Sequence, residues 1–262
     1  MLQLENVSKT FGKGTPNEKK ALQNVNLTLK KGDFVTVLGS NGAGKSTLFN
    51  AIAGSFRADS GKIILDGSDI TALPDYKRSK YIGRMFQDPL KGTAPSMTIS
   101  DNLALAYLRA SERKSPFSRV SEADRRLFRE KLAALGLGLE DRMNHPVGLL
   151  SGGQRQALTL LMATLVNPKL LLLDEHTAAL DPATAETVLA LTKKIVEENQ
   201  ITCLMITHNI PSALALGNRT ILMHEGTVTL ELSGSERTEL TPEKMLERFK
   251  ESLITDRILF GQ

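Results

Sequence analysis

The chain has 262 residues, 41% of them hydrophobic and 24% charged, with a formal net charge of +4 and a pI near 9.1. That composition supports a sizeable core and excludes a disordered chain. No apolar run approaches the roughly 18 residues of a membrane span, and the start MLQLENVSKTF, with Glu5 and no long apolar stretch, is not expected to be a signal peptide. The mild basicity permits a nucleic acid, an anionic lipid or a phosphate ligand without choosing among them. The single cysteine, Cys203, excludes an internal disulfide and fits a reducing compartment.

In chain order, LQLENVSKTF (residues 2–11) and ALQNVNLTLKKGD (21–33) read as strands with partial alternation, joined by the polar loop GKGTPNEKK. DFVTVLG (33–39) predicts a short buried strand, then a glycine-rich turn and a helix from about Lys45 to Ala53. KIILDG (62–67) and IGRMFQD (82–88) predict further strands. From about Thr98 to Leu165 the pattern turns helical; Ser121 with Asp124 fits a capping box, and Gly136 closes that helix. The part of this stretch from Arg109 to Lys131, rich in Arg and Lys with acids interspersed, reads as a solvated helix face, with anionic headgroups as the alternative contact. From Leu170 the order is strand, helix, strand: LLLLDE, PATAETVLALTKKIVEEN and ITCLMITH, with Asp181 capping the helix and Pro182 in its first turn. The tail from Arg219 predicts two short strands and a helix near Pro242 to Leu253. The expected class is α/β, a mostly parallel core interrupted by a helical insertion.

Three stretches carry chemistry. GSNGAGKS, comprising Gly39, Ser40, Asn41, Gly42, Ala43, Gly44, Lys45 and Ser46, matches G-x-x-x-x-G-K-[ST] between a strand and a helix, the context a phosphate-binding loop requires. Its backbone N–H groups would wrap a β-phosphate, with Gly42 and Gly44 allowing close approach. Lys45 would bridge phosphate oxygens, Ser46 would ligate Mg²⁺ and Thr47 would bond the α-phosphate. LLLLD ends in Asp174 at the C-terminal end of a buried strand, placed for Mg²⁺, and Glu175 follows to polarise an attacking water. LSGGQ, residues 150–154, puts two glycines at the start of a helix. Glycines weaken helices, but bare N–H groups at a helix N-terminus favour an anion.

The ordered set GSNGAGKS, LSGGQRQ, LLLLDE and a strand ending in His208 resembles the ATP-binding-cassette ATPases over nearly the whole chain. The resemblance implies a P-loop NTPase core with a mostly parallel sheet, an N-terminal antiparallel β subdomain and a helical insertion subdomain. One domain over 1–262 is implied, with a catalytic core of about 1–87 and 156–232, a helical subdomain of about 88–155 and a short tail from 233 to 262. It also implies ATP and Mg²⁺, and two cassettes facing head to tail around two nucleotides. Ser151, Gly152, Gly153 and Gln154 would then close over the γ-phosphate held by the partner chain. Gln87 resembles the Q-loop glutamine that contacts metal or water, Asp181 the D-loop acid, His208 the switch histidine, and Phe11 the aromatic that stacks on adenine. Glu175, His208 and Gln87 would carry the hydrolysis.

The sequence departs from the family where proline commonly follows the catalytic glutamate: here it is His176. The common D-loop serine is Ala178 or Ala179, depending on alignment. A repair or chromosome ATPase would need a long insertion where only about a hundred residues separate Lys45 from Ser151. A paired-cassette translation factor would need two P-loops. HPVGLL before the signature lacks the glutamate common in exporters, and DEHTAALD resembles a group of importer subunits linked to aromatic amino acids. The expected function is the ATP-hydrolysing subunit of an importer of a small solute such as an amino acid, peripheral on the cytoplasmic face of the cell membrane. The implied partners are a second copy or a paralogous cassette, an integral membrane permease and a solute-binding protein, with no nucleic acid. A soluble cassette of iron–sulfur cluster assembly and an exporter subunit are the alternatives.

Overall fold

The computed structural model describes residues 1–110, 120–249 and 251. The first half runs β1 (Leu2–Phe11), β2 (Lys19–Leu29), β3 (Phe34–Leu38), α1 (Lys45–Ala53), β4 (Ser60–Leu65), β5 (Ser68–Asp69), α2 (Asp75–Arg78), β6 (Ile82–Met85) and α3 (Ile99–Ala110). It continues as α4 (Glu122–Ala133), α5 (Gly152–Thr164), β7 (Leu170–Asp174), α6 (Pro182–Glu198), β8 (Thr202–Ile206), α7 (Ile210–Ala215), β9 (Arg219–His224), β10 (Thr227–Ser233) and α8 (Gly234–Thr238). Two compact units result, one built from Met1–Arg78 and the described residues from Thr202 onward, the other from the described residues of Ser79–Ile201.

In the first unit, β2, β1, β4 and β5 form an antiparallel sheet in that order. The partial alternation of β1 has a local cause. Its inward residues step from Leu2 and Leu4 to Val7 because the pairing register shifts there, with Asn6 at φ 51°. An extra residue of this kind flips the faces beyond it. Against this sheet's absence of parallel pairs, β3 lies parallel to both β8 and β9, and β10 closes antiparallel on β9. Every residue of β3 and β8 is buried, so both strands read as unbroken apolar runs rather than alternating ones. Cys203 sits in β8 at 0% exposure, and burial pushes its thiol well up, so it is not a nucleophile.

Two buried arginines tie helix ends in this unit. Arg78, 1% exposed, donates to the carbonyls of Ala51 and Ile52 at 2.8 Å, at the C-terminus of α1, and to those of Leu73 and Thr71. Burial lowers its pKa, and Asp69 and Asp75 oppose that shift. Arg237, in α8, donates to the carbonyls of Ala213, Leu214 and Leu216 at the end of α7 and to Thr220 Oγ1. A cation placed on unpaired carbonyls complements the negative end of each helix.

In the second unit, β6 pairs in parallel with β7 from Ile82↔Leu170 to Met85↔Leu173. The helices α3, α4 and α5 share a core of Ile99, Leu103, Phe128, Leu132, Leu158 and Leu161, with Tyr107 edge-on to Phe128 at 5.7 Å. Burying side chains of this size is worth about 1.5–3 kcal/mol each, enough to hold short helices that would fray alone. The Ser121–Asp124 capping box is present, and Gly136 at φ 67° follows the end of α4 as expected. Residues 111–119, in the middle of the basic stretch, lie outside the described residues, as does Leu253 in the tail. Residues 242–249 are helical.

The structure adds α2 and α8, which the sequence pattern does not announce because each spans under two turns, and the similarly short α7, whose start the sequence does mark. It also starts β2 at Lys19, two residues before the expected Ala21, because Thr10↔Lys20 and Phe11↔Lys19 extend the pairing. Among the described residues no helix is long and apolar enough to cross a membrane.

Candidate phosphate and signature sites

The glycine loop leaves β3 and enters α1 through Gly44, whose φ of 98° is left-handed. A Cβ there would lie 2.6 Å from the Ala21 carbonyl oxygen, so only glycine lets the loop pass this close to β2. No side chain caps α1. Its first N–H groups therefore open onto the loop, and a helix end left open in this way suits a phosphate. Lys45 is 7% exposed and folds back to donate to the carbonyls of Gly39 at 2.7 Å and Ser40 at 3.0 Å. Those two bonds hold the ammonium inside the loop, ready to be exchanged for phosphate oxygens. Ser40, Asn41 and Ser46 are exposed, Ala43 is buried, and Thr47 is half-buried. The Ala43 carbonyl accepts from Gly226 N–H, which fastens the loop to the turn between β9 and β10.

Phe11 ends β1 at 41% exposure, edge-on to Phe56 at 5.3 Å. A core position is thereby excluded, and Lys9 Nζ stands over the ring, 5.5 Å from its centroid. His208 is exposed just past β8, where Thr207 N–H donates to the Val37 carbonyl of β3. Asn209, which sequence reading passed over, caps α7 by accepting from Ser212 N–H at 2.8 Å. Its signal was legible: Asn followed by Ile-Pro is a helix start.

In the second unit, Asp174 ends β7 half-buried, and Glu175 takes φ 43°, a left-handed conformation that a non-glycine residue adopts at a cost. The turn is closed by Ala178 N–H donating to the Glu175 carbonyl at 3.0 Å. Gln87 Nε2 donates to Glu175 Oε2 at 3.4 Å. The proposed metal donors, a serine hydroxyl, an amide oxygen and a carboxylate, are hard oxygens of the kind Mg²⁺ takes.

The LSGGQ stretch makes a second capping box. Ser151 Oγ accepts from Gln154 N–H, and Gln154 Oε1 accepts from Ser151 N–H, both at 3.3 Å. Arg155 donates to the carbonyls of Val147, Gly148 and Leu150, which pins the approach to the signature. Ser151 and Gly152 are exposed, whereas Gly153 is buried against α6, where a Cβ would collide with Thr184 Cγ2. Asp181 caps α6, and the hydroxyl and N–H of Thr184 hold its carboxyl below the usual range.

His176 has a structural account that the sequence did not offer. It is 2% exposed; its carbonyl accepts from Gln156 Nε2 of α5, and its Nε2 lies 3.1 Å from Thr192 Oγ1 of α6. Thr192 spends its own proton on the Val188 carbonyl, so the imidazole carries hydrogen on Nε2. Burial pushes its pKa down to about 4, which leaves it neutral at neutral pH.

With this geometry, the comparisons with known proteins agree with one another. A family model described as ABC transporter matches residues 22–178. A tyrosine transport ATP-binding protein of Clostridioides difficile is 44% identical over 253 residues, 95% of this chain and 99% of its own length. A methionine import ATP-binding protein of Mannheimia succiniciproducens is 35% identical, across 97% of this chain and 72% of its own. Among solved structures, a dimeric ATP-binding cassette in a post-hydrolysis state bound to ADP and Pi superposes with a TM-score of 0.77 at 33% identity, covering 89% of this chain and 98% of that one.

Proposed function

This chain belongs to the ABC transporter family as an ATP-binding subunit that hydrolyses ATP, and from that premise we propose that it powers the import of an aromatic amino acid, with tyrosine as the first candidate. The observation that carries the nucleotide assignment is the glycine loop opening onto an uncapped α1 N-terminus, with Lys45 folded inside it. The substrate class is supported by the tyrosine transport relative, which matches this chain almost end to end.

In this reading, residues 39–47 hold the triphosphate, and Phe11 supplies a face for adenine. Ser46, Gln87 and Asp174 would hold Mg²⁺, which when bound neutralises charge on the phosphoryl oxygens. Glu175 takes the proton of the attacking water, oriented by Gln87 and His208. Ser151, Gly152, Gly153 and Gln154 serve the nucleotide of a second cassette, approached across Asp181, and donate backbone N–H groups to its γ-phosphate. Loss of the γ-phosphate removes that attraction and lets the two chains part, the stroke that drives a permease. The functional division follows the sequence reading: a catalytic core of about 1–87 and 156–232, a helical subdomain of about 88–155 that meets the permease, and a tail from 233. The complex sits on the cytoplasmic face of the cell membrane, and a solute-binding protein completes it.

The test is to tag the chain at its C-terminus, solubilise native membranes in mild detergent and identify what co-purifies. A polytopic membrane protein in comparable amount, whose reconstituted complex takes up tyrosine with ATP, is the expected result. Recovery only in the soluble fraction with a non-membrane scaffold would overturn it in favour of an iron–sulfur assembly role.

A further inference from the structure

The hairpin that starts two residues earlier than the sequence suggests has a functional consequence. Phe11 and Lys19 face each other as cross-strand partners at the loop end of β1 and β2. Two residues further along β2, the Ala21 carbonyl is pressed against Gly44 of the phosphate loop, and Gln23 N–H donates to the Gly226 carbonyl of the turn that holds Ala43. The backbone of β2 is thus fixed relative to the loop, and with it the root of the Lys19 side chain. Its ammonium reaches to 3.6 Å from the point where a Cβ on Gly42 would stand, over the middle of GSNGAGKS. Glu18, the adjacent carboxylate, is turned away to accept from Gly14 N–H. Among the described residues no carboxylate or carbonyl engages the Lys19 ammonium.

A cation held over the glycine loop without a carboxylate or carbonyl partner lacks only its counterion. We propose that Lys19 is a further nucleotide-binding residue, which contacts a phosphate oxygen of ATP from the open side of the loop, opposite Lys45. This rests on the placement of ATP in residues 39–47 given above. The two lysines differ in kind. Lys45 is buried and bonded within the loop, whereas Lys19 is exposed and reaches the loop at Gly42. The outer lysine therefore contributes through an exposed charge pair, which salt screens. It lies across the strand pair from the face proposed for adenine, so one hairpin end would grip both ends of the ligand.

The experiment displaces a fluorescent ATP analogue with unlabelled ATP and ADP, on the wild-type chain and on Lys19→Met, Lys19→Glu, Lys19→Arg and Lys45→Ala. Lys19→Met should bind ATP roughly three- to fivefold more weakly and Lys19→Glu roughly tenfold more weakly. Lys19→Arg should restore wild-type affinity, and the deficit of Lys19→Met should shrink as salt rises from about 0.05 to about 0.5 M. A loss larger for ATP than for ADP assigns the contact to the γ-phosphate, and an equal loss to the inner phosphates. Unchanged affinity in both Lys19→Met and Lys19→Glu, while Lys45→Ala fails to bind, overturns the proposal and leaves the loop assignment standing. Binding retained in Lys45→Ala would remove the loop assignment and this proposal together.

Discussion

Gln87 Nε2 donates to Glu175 Oε2 at 3.4 Å, a long hydrogen bond. The amide restrains the carboxylate, and Glu175 itself sits in a left-handed turn that fixes where its side chain begins. Glu175→Gln should bind ATP, lose about 10²- to 10⁴-fold in turnover and accumulate as an ATP-bound dimer. Phosphate release and size-exclusion chromatography check both halves, and near-normal turnover would remove Glu175 from the role of base.

If the signature of one chain completes the site of another, no single chain is active. ATPase rate should then rise faster than linearly with protein at low concentration and become linear once dimers dominate. Strict proportionality from a preparation shown by ultracentrifugation to be monomeric would count against the shared site.

Gly153 is packed where a side chain would strike Thr184 Cγ2. Gly153→Ala should cost about 1–3 kcal/mol of stability by overpacking. Thr184→Ser removes the struck methyl, so the double variant should recover most of that loss. Urea unfolding of the four proteins of the cycle measures the coupling, and additive losses would place the strain elsewhere.

Arg78 satisfies four carbonyls, two of them at the end of the helix that opens on the phosphate loop. Arg78→Met keeps the apolar stem and strands those acceptors. It should lower unfolding free energy by about 3 kcal/mol, with Arg78→Lys intermediate because one ammonium cannot span the same fork of acceptors.

The imidazole of His176 donates to Thr192, so Thr192→Val leaves a buried donor without an acceptor and should cost about 1–3 kcal/mol. Replacing both partners, His176→Phe with Thr192→Val, removes the polar pair altogether and should cost less than Thr192→Val alone. A double variant that loses the sum of the two single losses would show that the pair is not coupled.

What could be read from the chain, and what could not, divides by distance along it. The Ser121–Asp124 box and the Asp181 cap depend on neighbours three residues away, the phosphate loop is one contiguous motif, and all three stand where the sequence puts them. His176 finds its partner 16 residues on, and Arg78 reaches back 27 to Ala51. No local pattern marks either, because a buried polar residue looks like a surface one until its fold-mates are known. The same holds for Lys19, which in the string GKGTPNEKK looks like one more solvated lysine. The partial alternation of β1 was visible, but the register shift behind it is a property of two paired strands, not of one.

The enclosure of Cys203 has a practical reach. The only thiol in the chain is wholly inaccessible and held protonated by burial. Maleimide and iodoacetamide dyes should therefore pass over the native protein, which is already a blank for site-directed labelling. A cysteine introduced at Leu149, 68% exposed one residue ahead of LSGGQ, would be the sole reactive handle. A fluorophore placed there would sense the approach of a second cassette, and mixing with ATP in a stopped-flow instrument would time closure and opening without disturbing any residue assigned to the nucleotide.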